Sequence, residues 1–357
     1  MGAGHEGAAA ELGRRLSERG HTPVIVDFLD AFPGPLAQLW ERFYRLQLRY
    51  APNSYESSYQ LFYRHPRLWG PFVSFERTLA GRRVLAWVDE HAPDVIVSTY
   101  SFATLVLGRL RQEGALAVPV VNFLTDFGVH PRAVHPAVDL NLALHAVPAQ
   151  AASRLSRSPT VVAGPVAAPS FGQGGGTDRL ASERRAEARH HLGVGDGERL
   201  VVVVAGSWGI GQDLVGTVAA IAGSGRFRVV TVCGSDGHLR RRLARQGVGL
   251  ALGWTDQMPA LLAVADVVVE NAGGLTSLEA FATGVPIVSF KPIPGHGRDN
   301  VRGMVAAGVT TAPVDHAGLL EAIDDLSVPG QARDRQVAAG RALFCDDPVD
   351  HILGLLS

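Results

Sequence analysis

The chain has 357 residues and a formal net charge of −1 at pH 7, so its length suits two domains and its charge gives no basis for nucleic-acid binding. Cys233 and Cys345 are its only cysteines, which excludes a disulfide framework and favours a reducing, cytoplasmic compartment. The sequence shows no signal-peptide pattern and no apolar run of the roughly 20 residues that span a bilayer, so we expect no transmembrane segment.

The first residues, MGAGHEGAA, hold three glycines in the spacing G-x-G-x-x-G, which is typical of a loop that lets the backbone approach a phosphate. His5 lies among these glycines. Such a loop normally follows a strand, so we expect the first N-terminal strand of the sheet to be missing. Apolar residues at helical spacing then predict a helix that ends at Gly20, and TPVIVDF (22–28) predicts a strand.

Short β-branched runs alternate with helix-length segments over the rest of the chain, which predicts parallel α/β layers. The predicted strands are DVIVSTY (94–100), VPVVNFL (118–124), RLVVVVAG (199–206), FRVVTVCG (227–234), VGLALG (248–253), ADVVVEN (265–271) and VPIVSF (285–290). Residues 172–192 break this alternation because they are first glycine-rich and then charged. We interpret them as a linker or a solvated helix between domains.

Residues 36–83 differ from the rest because they carry eight arginines against three glutamates and five of the six tyrosines. Helices with aromatic residues in the core would have this composition, and so would a basic aromatic surface that seats among anionic lipid headgroups. Single-stranded nucleic acid would use similar side chains, but the neutral total charge argues against it. The residues that we expect to contact the acceptor or the membrane are Trp40, Arg42, Arg45, Arg49 and Trp69.

The stretch NAGGLTSLEAFATGVPIVSFKPIPGHGRDN (271–300) carries the most specific pattern of the chain. Glycines at a strand-to-helix turn direct backbone N–H groups and the helix dipole towards an anion. We therefore expect Gly273, Gly274, Leu275 and Thr276 to bind a diphosphate. Close packing of the turn against a neighbouring element would also explain the glycines.

Three polar side chains in the same stretch are placed to bind hydroxyl groups. Glu279 follows about one turn inside the predicted helix 275–283, where a carboxylate accepts hydrogen bonds from a ribose. Asp299 and Asn300 end the predicted loop 291–300 and suit further sugar hydroxyls. A nucleotide-sugar is the ligand that all of these groups fit together.

This stretch resembles the C-terminal half of the monogalactosyldiacylglycerol synthase family, whose glycosyltransferases share the GT-B fold with the peptidoglycan N-acetylglucosaminyltransferase. The resemblance extends over most of the chain. The similar segments are GAGHEGAA (2–9), LTDF (124–127), GPV (164–166), GSWGIG (206–211) and GWTDQMPALLAVADVVVENAGG (253–274).

The resemblance implies a GT-B fold, with two Rossmann-like α/β domains facing each other across a cleft. The implied division is an N-terminal acceptor-binding domain at 1–170, a linker at 171–195 and a C-terminal UDP-sugar-binding domain at 196–330. A helical tail at 331–357 would pack back towards the N-terminal domain. The family's activity implies an inverting transfer of a hexose from a UDP-sugar to a lipid hydroxyl, such as that of diacylglycerol, without a bound metal or other cofactor.

The resemblance also assigns roles to single residues. His5 would be the catalytic base, and Asp126 would orient it or bind the acceptor. Gly209 and Gly211 would allow close approach to the donor. Trp254 and Met258 would flank the uracil, or Trp254 would belong to the core. The family more often has glutamine where this chain has His296, so the identity of the sugar stays open.

Three other interpretations stay open. The acceptor could be a soluble secondary metabolite. An NAD(P)-dependent oxidoreductase would use the first glycines and Asp27, which follows about twenty residues later. A relative without the first strand could bind ligands and not catalyse. The histidines and acids from His130 to His145 have no recognised metal-ligand spacing, so we expect no metal site. We expect an enzyme that is peripheral on the inner face of the cell membrane, and the sequence does not predict an oligomeric state.

Overall fold

The structure is a computed structural model that describes residues 3–65, 68, 70–175, 179–195 and 197–356. Gly2 of the first glycine motif and Trp69 of the predicted membrane contacts lie outside these residues. The chain forms two units. The N-terminal unit contains Met1–Val166, Pro294–Asp299 and Leu343–Ser357, and the C-terminal unit contains Ala167–Ile293 and Asn300–Ala342.

Each unit has one parallel sheet. In the N-terminal unit four strands follow the order β1-β2-β3-β4. In the C-terminal unit five strands follow the order β7-β6-β5-β8-β9. The strands are β1 (Ile96–Ser98), β2 (Val120–Phe123), β3 (Leu140–Ala143), β4 (Thr160–Val162), β5 (Arg199–Val204), β6 (Phe227–Val232), β7 (Leu250–Leu252), β8 (Val267–Glu270) and β9 (Ile287–Ser289).

Helices surround both sheets and connect most of the strands. They are α1 (Ala3–Glu18), α2 (Leu36–Tyr50), α3 (Pro52–Arg64), α4 (Gly70–His91), α5 (Ser101–Gln112), α6 (Ala146–Ser156), α7 (Arg179–His191), α8 (Leu214–Gly223), α9 (Gly237–Gln246), α10 (Met258–Val264), α11 (Leu275–Thr283), α12 (His296–Ala306), α13 (His316–Leu326), α14 (Gln331–Ala342) and α15 (Pro348–Leu353). Within the described part of the chain, no helix combines the length and the apolar character that crossing a membrane requires.

The predicted strands from residue 94 onwards are confirmed, because each of the seven segments contains one observed strand. Continuous valine runs such as residues 201–204 are fully buried, as expected for a parallel strand that is covered on both faces. The helix predicted at 275–283 is also confirmed. It ends at Gly284, whose left-handed φ of +79° closes the last turn. Within 172–192 the helix α7 forms; it belongs to the C-terminal unit, where Arg189 pairs with Asp266 at 3.0 Å, and the predicted linker role of the segment stays a prediction.

The predicted strand at 22–28 is wrong. Residues 21–27 have no regular structure, and Phe28–Ala31 form a short 3-10 helix. Val24, Ile25 and Val26 remain 45–58% exposed. A β-branched run becomes a strand only when a neighbouring strand takes its hydrogen bonds. Among the described residues β1 pairs with β2 alone, and the run 22–28 does not form a ladder on the other edge of β1.

Candidate active site

His5 lies in the first turn of helix α1 and not in the glycine loop that the sequence predicted. Ala8, Ala9 and Ala10 follow it, and alanine is the strongest helix former. Glu6 adds a negative charge at the helix N-terminus, where the dipole favours it. Helix formation therefore prevails over the loop signal of the glycines.

Two threonines at the carboxyl ends of strands β1 and β2 hold the imidazole of His5. The Nδ1 atom lies 2.6 Å from the carbonyl oxygen of Thr99 and 3.2 Å from the hydroxyl of Thr125. The hydroxyl of Thr99 donates a hydrogen bond to the carbonyl of His5 at 3.1 Å. Because a carbonyl oxygen only accepts, Nδ1 carries the proton of the neutral ring. The lone pair is then on Nε2, which is the arrangement a general base requires.

Burial lowers the pKa of His5, because removal from water disfavours the charged imidazolium. The charge of Asp126 and the hydrogen bond to Thr99 oppose this effect and favour the charged form. Asp126 follows strand β2, and its charge acts in the same direction on His296. His5 is therefore neutral and able to accept a proton at pH 7, and Asp126 is placed to stabilise the imidazolium that would form.

Residues 294–299 belong to the N-terminal unit, and the predicted loop 291–300 is wrong beyond His296, where helix α12 begins. In that unit, Tyr59 of helix α3 donates a hydrogen bond to the carboxylate of Asp299 at 2.7 Å. The hydroxyl of Tyr55 lies 3.1 Å from Nδ1 of His296, and Glu56 accepts the N–H of Gly295 at 2.6 Å. Helix α3 thus fixes the position of Asp299, and its predicted contact with the sugar stays a prediction.

The predicted diphosphate turn in the C-terminal unit connects β8 to α11. Gly273 has a φ of +67°, and the N-cap residue Gly274 provides no side-chain cap to helix α11. The buried carboxylate of Glu270 accepts the N–H groups of Ala272 at 2.7 Å and Gly273 at 2.5 Å, and the hydroxyl of Ser289 donates to it. Of the predicted amides, that of Gly273 is therefore already used within the protein. The amides of Gly274, Leu275 and Thr276 stay the predicted diphosphate ligands.

Glu279 and Asn300 are both in the C-terminal unit, in different surroundings. Glu279 is half-buried in α11, and burial raises its pKa to about 7. A carboxyl with that pKa both accepts and donates hydrogen bonds near neutral pH, which suits a ribose. Asn300 is fully buried, and its amide donates to the carbonyl of Ala272 at 3.1 Å. Its observed contact therefore shapes the turn.

The glycines of GSWGIG have close neighbours inside the protein. Gly209 has a φ of +65°, and a Cβ there would lie 2.4 Å from Cβ of Asp236. A Cβ on Gly211 would lie 2.2 Å from Nδ2 of Asn271. Close packing alone thus requires both glycines, and their contact with the donor stays a prediction. Trp254 is 65% exposed, so it does not belong to the core, and Met258 is half-buried at the start of α10.

Helix α2 exposes one apolar stripe. Its members recur at the spacing of a single helix face and are 38–74% exposed, namely Leu36, Leu39, Trp40, Phe43, Leu46 and Tyr50. Arg42, Arg45 and Arg49 are exposed beside this stripe, and Leu48 on another side is buried. The stripe and the arginines form a basic, apolar surface, which we call the α2 surface.

The histidines between β2 and α6 have local structural roles. His130, His135 and His145 each accept, through Nδ1, the backbone N–H two residues ahead. Asp139 pairs with Arg111 at 2.5 Å. Among the described residues no group of three histidine, cysteine, aspartate or glutamate side chains is arranged to hold a metal ion.

Several residues that shape these sites were missed in the sequence. Thr99 and Thr125 lie one and two residues after strands β1 and β2, a position where parallel sheets present ligand-binding side chains. Glu270 ends an otherwise apolar strand, and an acid at the end of such a strand could have indicated a role in the turn that follows. Tyr55 and Tyr59 are separated by one helical turn, but their contact with residues 294–299 lies about 240 positions away along the chain.

Comparison with protein families confirms the resemblance stated from the motifs. Residues 5–157 match the family model described as monogalactosyldiacylglycerol (MGDG) synthase. The processive diacylglycerol beta-glucosyltransferase of Bacillus pumilus is 24% identical over 255 residues, which cover 70% of this chain and 64% of that enzyme. The protein of the same name from Bacillus cereus strain AH187 is 22% identical over 373 residues, which cover 99% of this chain and 90% of the relative.

Solved structures show the fold. Anabaena Alr3699/HepE in complex with UDP has a TM-score of 0.53 and 18% identity, covering 77% of this chain and 80% of that one. MurG of Acinetobacter baumannii has a TM-score of 0.50 and 14% identity, covering 77% and 76%. The fold is α/β of the GT-B type.

Proposed function

We propose that this protein is an inverting glycosyltransferase that moves a hexose from a UDP-sugar to the hydroxyl of a diacylglycerol-type lipid. The observation that carries the proposal is the orientation of His5, whose Nδ1 is held by Thr99 so that Nε2 is the basic atom. The relatives named above are diacylglycerol glucosyltransferases, so UDP-glucose is the first donor to test. Their activity also sets aside the oxidoreductase alternative.

In the proposed reaction, the acceptor hydroxyl oxygen attacks the anomeric carbon of the sugar. Nε2 of His5 takes the hydroxyl proton while the bond between the anomeric carbon and the diphosphate oxygen breaks, and UDP leaves with the electron pair. Attack opposite the leaving group inverts the anomeric centre. Asp126 stabilises the imidazolium, since its charge favours protonated His5.

The leaving UDP gains negative charge, which the N-terminus of α11 is suited to stabilise. Gly274 supplies no side-chain cap, and we propose that the first amides of the helix and its dipole bind the diphosphate instead. We propose that this replaces a divalent cation and that no metal takes part. Activity after treatment with EDTA tests this step, and restoration of lost activity by Mg²⁺ or Mn²⁺ would contradict it.

We propose that the α2 surface seats the protein on an anionic membrane from which the acceptor is taken. A helix with an exposed apolar stripe and flanking arginines lies in the headgroup region, with the stripe among the acyl chains. Leu39→Glu should weaken sedimentation with phosphatidylglycerol vesicles about tenfold, because an apolar group is replaced by a charge. Leu155→Glu changes an exposed leucine of α6 in the same way and should have little effect. Equal losses in the two variants would exclude α2 as the membrane contact.

The direct test is release of UDP from UDP-glucose with diacylglycerol vesicles present, measured beside UDP-galactose and UDP-N-acetylglucosamine. Formation of a lipid-linked sugar from any of these donors supports the proposal. UDP release without a glycolipid product would show hydrolysis alone. Binding of UDP with no turnover of any donor would favour the binding-only alternative.

A further inference from the structure

Lys291 is the only lysine of a chain whose lysines and arginines total 33. It lies two residues after strand β9, at the carboxyl edge of the C-terminal sheet. Arginine and lysine are not equivalent, because lysine is a compact point charge on a flexible stem and arginine is a rigid planar fork. Lys291 therefore places a compact positive charge at the edge of the sheet where parallel α/β proteins bind ligands.

Lys291 has an unusual backbone conformation, and so does its partner. Their φ angles are +47° for Lys291 and +52° for Asp213, in the left-handed region that residues other than glycine rarely adopt. Nζ of Lys291 donates to the Asp213 carboxylate at 2.5 Å. Strained residues of this kind cluster at ligand-binding sites, where the fold holds them in place. Here two of them meet in one ion pair.

The order of the strands places this ion pair beside the predicted diphosphate turn. Asp213 follows β5 and Lys291 follows β9, and β8 lies between these two strands in the sheet. The loops are also connected directly, since the N–H of Ile293 donates to the carbonyl of Asn271 at 2.8 Å. The amide of Asn271 in turn donates to the carbonyl of Ile210 at 3.0 Å. The loops that carry Asp213 and Lys291 therefore flank the end of β8, the strand that leads into the turn before helix α11.

The surroundings of the pair allow the ammonium to change partner. The side chains of Asp213 and Lys291 are 48% and 28% exposed, and ion pairs this exposed contribute little to stability. Nε2 of His316 is 3.5 Å from the ammonium and 3.8 Å from the carboxylate. A diphosphate brings more negative charge than one carboxylate, so it would compete well for the ammonium.

We propose that Lys291 is a ligand of the donor's diphosphate and that it exchanges Asp213 for the phosphate when UDP or a UDP-sugar binds. This rests on the proposed function, because it concerns the same donor site. Asp213 holds the ammonium in place while the site is empty. On UDP departure Lys291 neutralises part of the charge that the leaving group gains.

The test measures binding of UDP and of uridine, which lacks the diphosphate, by calorimetry or NMR titration. Lys291→Asn removes the charge, and asparagine tolerates a positive φ better than lysine does. We expect this variant to bind UDP about tenfold more weakly, to bind uridine normally and to unfold at an equal or higher temperature. Lys291→Arg should recover part of the affinity for UDP.

Asp213→Asn provides the matched control on the partner. Asparagine still caps helix α8, where the Asp213 carboxylate now accepts the N–H of Gly216, but it no longer competes for the ammonium. We expect UDP to bind as tightly as before or more tightly. Unchanged UDP affinity in Lys291→Asn would overturn the inference and leave the proposed function intact. Failure of the unsubstituted protein to bind UDP would instead contradict the proposed function.

Discussion

The two candidate sites lie at the carboxyl ends of parallel strands, but they are built differently. In the N-terminal unit a reactive side chain, His5, is held by Thr99 and Thr125. In the C-terminal unit the turn after β8 offers backbone amides, and the buried carboxylate of Glu270 sets its shape. The difference predicts that substitutions in the first site reduce chemistry with little loss of stability. Substitutions in the second should reduce stability and donor binding together.

The largest effect is expected from His5→Ala. Without the proposed general base, the rate of sugar transfer should fall by about 10²–10⁴-fold, while the affinity for UDP stays unchanged. Release of UDP from UDP-glucose with diacylglycerol measures the rate, and calorimetry measures the affinity. A variant that transfers sugar at the normal rate would exclude His5 as the base.

His91→Ala is the matched control for His5→Ala. His91 is an exposed histidine at the end of helix α4 and precedes strand β1, so it lies towards the amino edge of the sheet, opposite the carboxyl edge where Thr99 and Thr125 hold His5. We expect normal rates and a normal melting temperature. If both histidine variants lose activity equally, the loss in His5→Ala cannot be assigned to proton transfer.

The second effect concerns stability. Glu270→Ala leaves the N–H groups of Ala272 and Gly273 without their acceptor in a buried turn, which should cost about 3 kcal/mol of unfolding free energy. Chemical denaturation followed by circular dichroism measures it. Glu321→Ala, at an exposed position of α13, should change stability by less than about 0.5 kcal/mol. Full stability in Glu270→Ala would contradict the role assigned to this carboxylate.

The third effect tests the backbone of the same turn. Gly273→Ala places a Cβ 2.7 Å from Cβ of Asn300 at a positive φ, so it should lower stability by about 2 kcal/mol and weaken UDP binding. Gly223→Ala, at the end of α8, meets no atom within 4 Å and should be neutral or slightly stabilising. Both variants replace a glycine by alanine. If the free energy of unfolding changed in the same direction in both, the role assigned to the backbone of this turn would be contradicted.

Sequence reasoning predicted well where the structure follows from local pattern. The buried valine strands and helix α11 with its closing Gly284 were readable, because strand burial and helix ends depend on neighbouring residues. The motifs also singled out His5, which lies in helix α1 and not in the predicted loop, and the β8–α11 turn, and the functional roles of both stay predictions.

The rest could not be predicted because it depends on partners distant along the chain. The run 22–28 has the composition of a strand but no strand beside it. Thr99 holds a histidine 94 positions away, and Tyr59 contacts an aspartate 240 positions away. Gly209 is required because it packs against Asp236. Such packing roles of glycines also depend on contacts with residues elsewhere in the chain.

The smallest effect is a shift in the pH dependence of transfer, which tests whether Asp126 acts on His5. Burial lowers the pKa of His5 below its usual range, and the base must be neutral. The rate should therefore rise with pH through that lowered pKa and be constant around neutral pH. The charge of Asp126 raises this pKa, against the larger effect of burial, and Glu6 acts in the same direction. Asp126→Asn should then move the rising limb to lower pH.

The shift separates an electrostatic role of Asp126 from a role in acceptor binding. If Asp126 only bound the lipid, its replacement would raise KM for diacylglycerol. The pH at which kcat rises would then stay unchanged. Asp30→Asn removes one exposed carboxylate of the same unit and should leave the profile unchanged. A limb that moves to higher pH in Asp126→Asn would contradict the assigned sign. It would also show that the N-terminal site is not organised around the charge of this side chain.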